Sequence, residues 1–191
     1  GDNSLDKTHG IIIFGANGSG KTTLGRELAG LLGFRHMDIE DYYFEKSEIP
    51  YTVKRSRKDC LELMLFDIEK YGSFVITAVT GDFGDEIQRL YKLAVGITAP
   101  HEVRMSRIKQ RSREKYGERV CKGGDMYEQE QQFFDFAAAR SLSGIGEWAE
   151  TLTCPVMYVD GMVDFHINAA AIAERFSALI KDRDEMGSII R

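Results

Sequence analysis

Apolar positions along the chain fall into two alternating patterns. Short unbroken runs rich in branched side chains stand at Gly10-Ile11-Ile12-Ile13-Phe14, Ser73-Phe74-Val75-Ile76-Thr77-Ala78-Val79, Leu93-Ala94-Val95-Gly96-Ile97 and Pro155-Val156-Met157-Tyr158-Val159. The first two runs predict strands buried on both faces, and the other two are read as the fourth and fifth strands. A shorter run, Phe34 to Met37, is expected to be the second strand in chain order. Between the strands, apolar residues recur at helical spacing. Leu24, Leu28, Leu31 and Leu32 mark one helix, closed by Gly33. A second opens near Lys54 and carries Leu61, Met64, Leu65 and Ile68, and a third opens at Pro100 and Glu102. A fourth has Asp125 and Glu128 as a capping pair and Phe133, Phe136, Ala137 and Arg140 on one face. Gly144 and Gly146 break the pattern before the last strand. The final helix runs from about His166 and carries Ile172, Phe176, Leu179 and Ile180. Residues 45–52 read as a loop, and Trp148 and the methionines as core filler. Strands alternating with helices predict an α/β fold with a parallel sheet and right-handed crossovers.

The turn between the first strand and the first helix holds the chemistry. Gly15-Ala16-Asn17-Gly18-Ser19-Gly20-Lys21-Thr22 fills every fixed position of the P-loop pattern G-x-x-x-x-G-K-[ST]. A polyphosphate is held by inward-turned backbone N–H groups, and Gly15, Gly18 and Gly20 let the chain curl closely round it. The helix behind adds its positive N-terminal end. Lys21 is expected to reach the β- and γ-phosphates and Thr22 to ligate Mg²⁺. The nucleotide-binding stretch is taken to run on to Thr23.

Other candidates lie on the edge where strands end and ligands of open parallel sheets bind. Asp38 follows the second strand; it holds Mg²⁺ water or orients an acceptor hydroxyl, unless Asp38, Glu40 and Asp41 only cap a helix start. The acceptor-binding region is expected at about 38–60. Within it Lys54, Arg55, Arg57 and Lys58 contact an anionic acceptor or form a solvated face. Gly81 lets backbone approach a substrate or serves its turn alone. Arg104, Arg107 and Arg111 share one helix face, with Arg113 and Lys115 beyond. That helix and the glycine-containing stretch to Gly124 read as a lid (about 112–126) that closes over nucleotide, or as a basic surface helix with a long loop. Arg140 is a second lid arginine or a helix-end charge.

Composition narrows the class. The 191 residues fit one domain, 1–191. Twenty-five Lys and Arg against 30 Asp and Glu give a net charge of −5, so no nucleic-acid or membrane partner is expected. Cys60, Cys121 and Cys154 form neither a metal pattern nor a disulfide framework, which fits a cytoplasmic protein. The four histidines are scattered and suggest no metal site. No apolar run is long enough to span a bilayer. The start, Gly1-Asp2-Asn3-Ser4, is polar and does not read as a signal peptide. The tail from Asp182 is expected to be loosely ordered.

These motifs, in this order, resemble the small P-loop kinases, meaning the nucleoside monophosphate, shikimate and gluconate kinases, from about Gly10 to Ile180. The resemblance implies a five-stranded sheet of order 2-3-1-4-5, and ATP with Mg²⁺. Asp38-Ile39-Glu40 is similar to the D-x-D of shikimate kinases, which implies that Asp38 touches the Mg²⁺ shell and Glu40 the acceptor. Ser106 to Arg111 is similar to the arginine pair that opens the adenylate-kinase lid. By that likeness Arg107 packs on the adenine and Arg111 contacts phosphates. Val159-Asp160-Gly161 resembles the end of the last strand, after which Met162 and Val163 line the adenine through backbone. Thr77-Ala78-Val79-Thr80-Gly81 departs from the D-G-F-P-R of adenylate kinases and lacks both its acid and its arginine. The expected activity is transfer of the γ-phosphoryl of Mg-ATP to a hydroxyl or phosphate of a small acceptor, with Lys21, Asp38, Arg107 and Arg111 catalytic. Arg55, Glu40 and Gly81 are the candidates for binding the acceptor. The alternative is a P-loop ATPase or switch without an acceptor.

Overall fold

The computed structural model describes residues 7–190, with the side chains of 185 and 188–190 left aside; Gly1-Asp2-Asn3-Ser4 lies outside the described residues. Five strands form one parallel sheet: β1 (Gly10–Phe14), β2 (Arg35–Asp38), β3 (Phe74–Ala78), β4 (Tyr91–Thr98) and β5 (Val156–Asp160). Their order is β2-β3-β1-β4-β5, as the family resemblance implied. Central β1 and β3 are buried along their whole length, in register from Gly10 against Phe74 to Phe14 against Ala78. Continuous apolar runs are the residue pattern such a position selects.

Successive side chains of a strand point to opposite faces, and each face has its own core. Ile12, Phe14, Phe74, Ile76 and Ala94 meet Cys60, Met64 and Ile68 of α3 (Arg57–Tyr71) and Ala149 of α7 (Ser143–Glu150). Ile11, Ile13, Val75, Leu93, Val95 and Ile97 meet Leu24 and Leu28 of α1 (Lys21–Leu32) and Ala169, Ile172 and Phe176 of α8 (Phe165–Ile190). Trp148 fills a gap edge-on to Phe14, ring centroids 5.3 Å apart. Two four-residue helices, α2 (Glu40–Tyr43) and α4 (Asp85–Gln88), start beyond the ends of β2 and β3. The arm formed by α5 (His101–Tyr116), a 3-10 turn (Gly117–Val120) and α6 (Tyr127–Ala139) follows β4.

Several expectations are corrected. α3 starts at Arg57, because the Ser56 hydroxyl accepts from the Asp59 N–H at 3.1 Å and caps it there, while Lys54 bridges to Phe44. Gly144 and Gly146 lie inside α7, where burial of Ala149 and packing of Ile145 and Trp148 override the glycine penalty. α6 has no side-chain cap; Asp125 instead takes Arg119 Nε and Nη2, both at 2.9 Å. Leu31 turns out to solvent. Helix α8 continues past Asp182 to Ile190. No helix among the described residues is long and apolar enough to cross a membrane.

Candidate functional site

The loop between β1 and α1 is shaped for close approach. Gly18 has φ +80°, and a Cβ there would stand 2.4 Å from the Arg104 carbonyl oxygen. Gly20 caps α1 at φ +102°. Gly15 donates to the Val79 carbonyl at 3.2 Å, which fastens the loop to the end of the third strand. A side chain on Gly15 would meet the Ile97 carbonyl. Close neighbours thus require glycine at Gly15 and Gly18, and φ requires it at Gly18 and Gly20, which leaves backbone N–H groups and the first turn of α1 to face an anion.

Lys21 folds back over this loop, its Nζ donating to the Ala16 carbonyl at 2.8 Å. Its ammonium is pushed down to about 8 by burial first, against the pull of Asp38 and Glu40 and with the push of Arg140 and Arg111. Those five side chains therefore form one charge cluster, although they come from α1, β2, α2, α5 and the chain after α6. The Thr22 hydroxyl donates to Asp38 Oδ2 at 3.3 Å, and Asp38 Oδ1 accepts the Glu40 N–H at 3.2 Å. Asp38 thus stands beside the P-loop threonine and accepts the first N–H of α2, whose N-cap position is Ile39. Glu40 is raised above the ordinary glutamate range by burial first and then by Asp38, against Lys21 and Arg111. Asp41 is raised for the first two of those reasons. Thr22 and Asp38 offer two oxygen donors, a set that fits Mg²⁺, which keeps several waters.

α5 runs past the loop and lays its arginines along it. Arg107 Nη1 donates to Ser19 O at 3.2 Å and Nη2 to Gly161 O at 2.8 Å, joining the P-loop to the turn after β5. Met162 and Val163 stand exposed beside that turn. Arg104, 4% exposed, donates to the Ala99 and Asn17 carbonyls and holds α5 against the loop. Arg140, at the C-terminal end of α6, donates to Asn17 Oδ1 of the P-loop at 3.4 Å.

The acceptor side departs further from expectation. Arg55 Nη1 donates to the carbonyls of Asp41, Tyr42 and Phe44 at 2.8, 3.2 and 3.0 Å, which ties down the C-terminal end of α2. Gly81 is buried; its Cα faces Ile12 and the Tyr91 hydroxyl, which donates to Gly81 O at 2.9 Å. The core demands a glycine there. Arg57, one of the basic cluster read from sequence, donates to Asp82 O at 3.3 Å; the residue sequence reasoning passed over is Tyr43, whose charged neighbours include Arg57, Glu40 and Arg140. Only a contact across three segments identifies Tyr43, so no local signal marked it.

A P-loop, a parallel sheet of this order and an arginine-bearing arm over the loop define a P-loop nucleoside-triphosphate-binding domain with a kinase-like fold. A family model described as an AAA domain matches residues 11–133, more than half of the chain, and the chain belongs to that family. It is 28% identical over 158 residues to an uncharacterized protein, YqaC, of Bacillus subtilis (strain 168), covering 78% of this chain and 87% of that one. Among solved structures it resembles a protein provisionally named a kinase from Chloroflexus aurantiacus j-10-fl. That alignment has a TM-score of 0.55 and 16% identity over 90% of this chain and 97% of that one. A gluconokinase from Sinorhizobium meliloti 1021 aligns with a TM-score of 0.49 and 14% identity over 95% and 97%.

Proposed function

We propose that this chain is a small-molecule kinase that moves the γ-phosphoryl group of ATP to a hydroxyl or phosphate of a small acceptor. The observation that carries the reading is the charge cluster. Lys21 shares one site with two carboxylates, Asp38 and Glu40, and with Arg111 and Arg140. A loop that only bound nucleotide has no need of a half-buried Glu40 near its lysine.

Each residue then has a task. The P-loop N–H groups and Lys21 hold the phosphates and offset charge on the transferring group. Thr22 and Asp38 would hold Mg²⁺, which would supply neutralisation of phosphate charge. Arg107 fixes the arm to the loop, and Arg111 and Arg140 face the phosphates. Glu40, raised in pKa, accepts the proton of an acceptor hydroxyl. Arg57 and Arg140 beside Tyr43 suit an acceptor that carries an anionic group as well as that hydroxyl. Positioning and exclusion of water supply most of the rate, because the transition state is loose and asks little covalent chemistry of the protein. The whole chain is read as one kinase domain in the cytoplasm.

The test is ADP release from Mg-ATP across nucleoside monophosphates, hydroxy acids, sugar acids and amino-sugar alcohols. Release that one class stimulates, and that Lys21→Ala abolishes, supports the reading. Lys21-dependent release that nothing in a broad panel stimulates favours an ATPase or switch. Wild-type rates in Lys21→Ala overturn both.

A further inference from the structure

Three side chains of the α5–α6 arm reach one short loop on the acceptor side. Lys115 Nζ donates to the Tyr51 hydroxyl at 2.7 Å, Arg119 Nη2 to Glu48 O at 3.2 Å, and Gln129 Nε2 to Pro50 O at 2.9 Å. The donors sit on three successive elements, the last turn of α5, the 3-10 turn and the first turn of α6. The acceptors fall within four residues, 48–51.

That loop has no regular structure of its own apart from its root. There Phe44 bridges to Lys54, and the Glu45 N–H donates to Val53 O at 2.8 Å. Its tip folds on Ile49 O, which accepts from the Ser47 and Thr52 hydroxyls at 2.6 Å each. Tyr51 has φ +61°, the one positive φ among described non-glycine residues. A conformation of that kind persists only where surroundings hold it. Here they are Lys115 and the Phe44 ring, whose centroid is 5.4 Å from that of Tyr51. Arg119 is itself aimed, because Asp125 grips two of its nitrogens at 2.9 Å. The loop begins where α2 ends, one short helix away from Asp38 and Glu40. Arg107, about two turns before Lys115 on the same helix, donates to Ser19 O of the P-loop, and Arg111 lies about one turn before Lys115.

We propose that these bonds form a latch between acceptor loop and lid arm. α5 is a continuous helix, so nucleotide that fixes Arg107 and Arg111 fixes residues 45–52 through Lys115, about one to two turns further on. The acceptor wall is then ordered when nucleotide is in place, and the phosphoryl group is not offered to water beforehand. Lys115, Arg119 and Gln129 are positioning residues; none touches the P-loop. The latch rests on the nucleotide-binding reading above, and the test separates the two.

The experiment is amide hydrogen exchange on the full chain, with and without Mg²⁺ and a non-hydrolysable ATP analogue. In the wild type the analogue is expected to protect 15–23 and, in step, 44–54. In Arg119→Ala with Gln129→Ala, protection of 15–23 stays and that of 44–54 is lost. Each single variant weakens it by about fivefold, the scale of one hydrogen bond. Arg119→Lys, which keeps the charge but not the two-ended fork, behaves like Arg119→Ala. If the double variant misfolds, Gln129→Ala alone carries the test. Protection of 15–23 with 44–54 unmoved in the wild type, or protection of 44–54 that survives the double variant, overturns the latch and leaves nucleotide binding standing. No protection of 15–23 in the wild type overturns the nucleotide reading, and the latch with it.

Discussion

Lys21 supplies a measurement that needs no acceptor. Burial pushes its ammonium down to about 8 in the free protein. A bound polyphosphate puts several negative charges against the same nitrogen and restores its preference for the charged form. The bound pKa therefore lies above the free one, and binding must take up protons between the two. Affinity is full below about 8 and declines as pH rises through that value. At pH 8.5, with a free-state value of about 8, roughly three-quarters of the lysines are neutral before binding. Each Mg-ATP bound should then draw about three-quarters of a proton from the buffer at that pH, and close to none at pH 6.5. Calorimetric titration at pH 8.5 in buffers of different ionisation enthalpy reads this number directly. Lys21→Met, which keeps the chain length and removes the charge, should bind more weakly with no linked proton. Tight binding with no uptake at pH 8.5 would refute the argument that Lys21 is the buried, proton-deficient group that meets the phosphates.

Other outcomes follow from the same geometry. Glu40 is raised by burial and by Asp38, so its charge burdens the folded state above its pKa and is relieved as pH falls through it. Glu40→Gln should therefore raise the urea midpoint at pH 7 while transfer to a hydroxyl acceptor collapses, and the acidic limb of the wild-type rate profile should lie above the ordinary glutamate range and vanish in the variant. Gly18→Ala, at φ +80° with its Cβ 2.4 Å from Arg104 O, should cost about 1–3 kcal/mol in urea unfolding. A change under about 0.3 kcal/mol would refute the clash. Tyr42→Phe loses the 2.6 Å bond to the Asp67 carboxylate and should cost about 1.5–3 kcal/mol. Arg111→Ala should lower turnover by on the order of 10³ with unfolding unchanged, measured by single-turnover ADP release beside a urea curve.

The parts legible in the sequence share a physical character: each is specified by neighbours in the chain. β1, β3 and β4 stand where apolar runs put them, since full burial admits little else. Glycine spacing marked the P-loop because φ and close approach act on single residues. Errors arose where distant segments decide. Nothing local says that α7 forms across two glycines because Trp148 and Ala149 have a core to meet; Asp125 is a nearer case, a competition between a helix cap and Arg119 six residues back. Arg55 stood in a basic cluster that suggested an anion, yet its nearest partners are three carbonyls at the end of α2.

The same distinction explains why the nucleotide half of the site is easier to assign than the acceptor half. Phosphate recognition is built from backbone N–H groups on one continuous turn, so a short pattern encodes it. The acceptor site proposed above draws Glu40 from α2, Arg57 from α3 and Arg140 from the end of α6, and each owes its place to another contact. Arg55 secures the helix that carries Glu40, and Asp82 O engages Arg57. Replacing Arg55 should accordingly shift acceptor KM through Glu40 without any contact to the acceptor itself. An acceptor pocket assembled this way can change its ligand by small moves of three elements while the P-loop stays the same. A shared fold therefore fixes the phosphoryl donor more firmly than the molecule that receives the phosphoryl group.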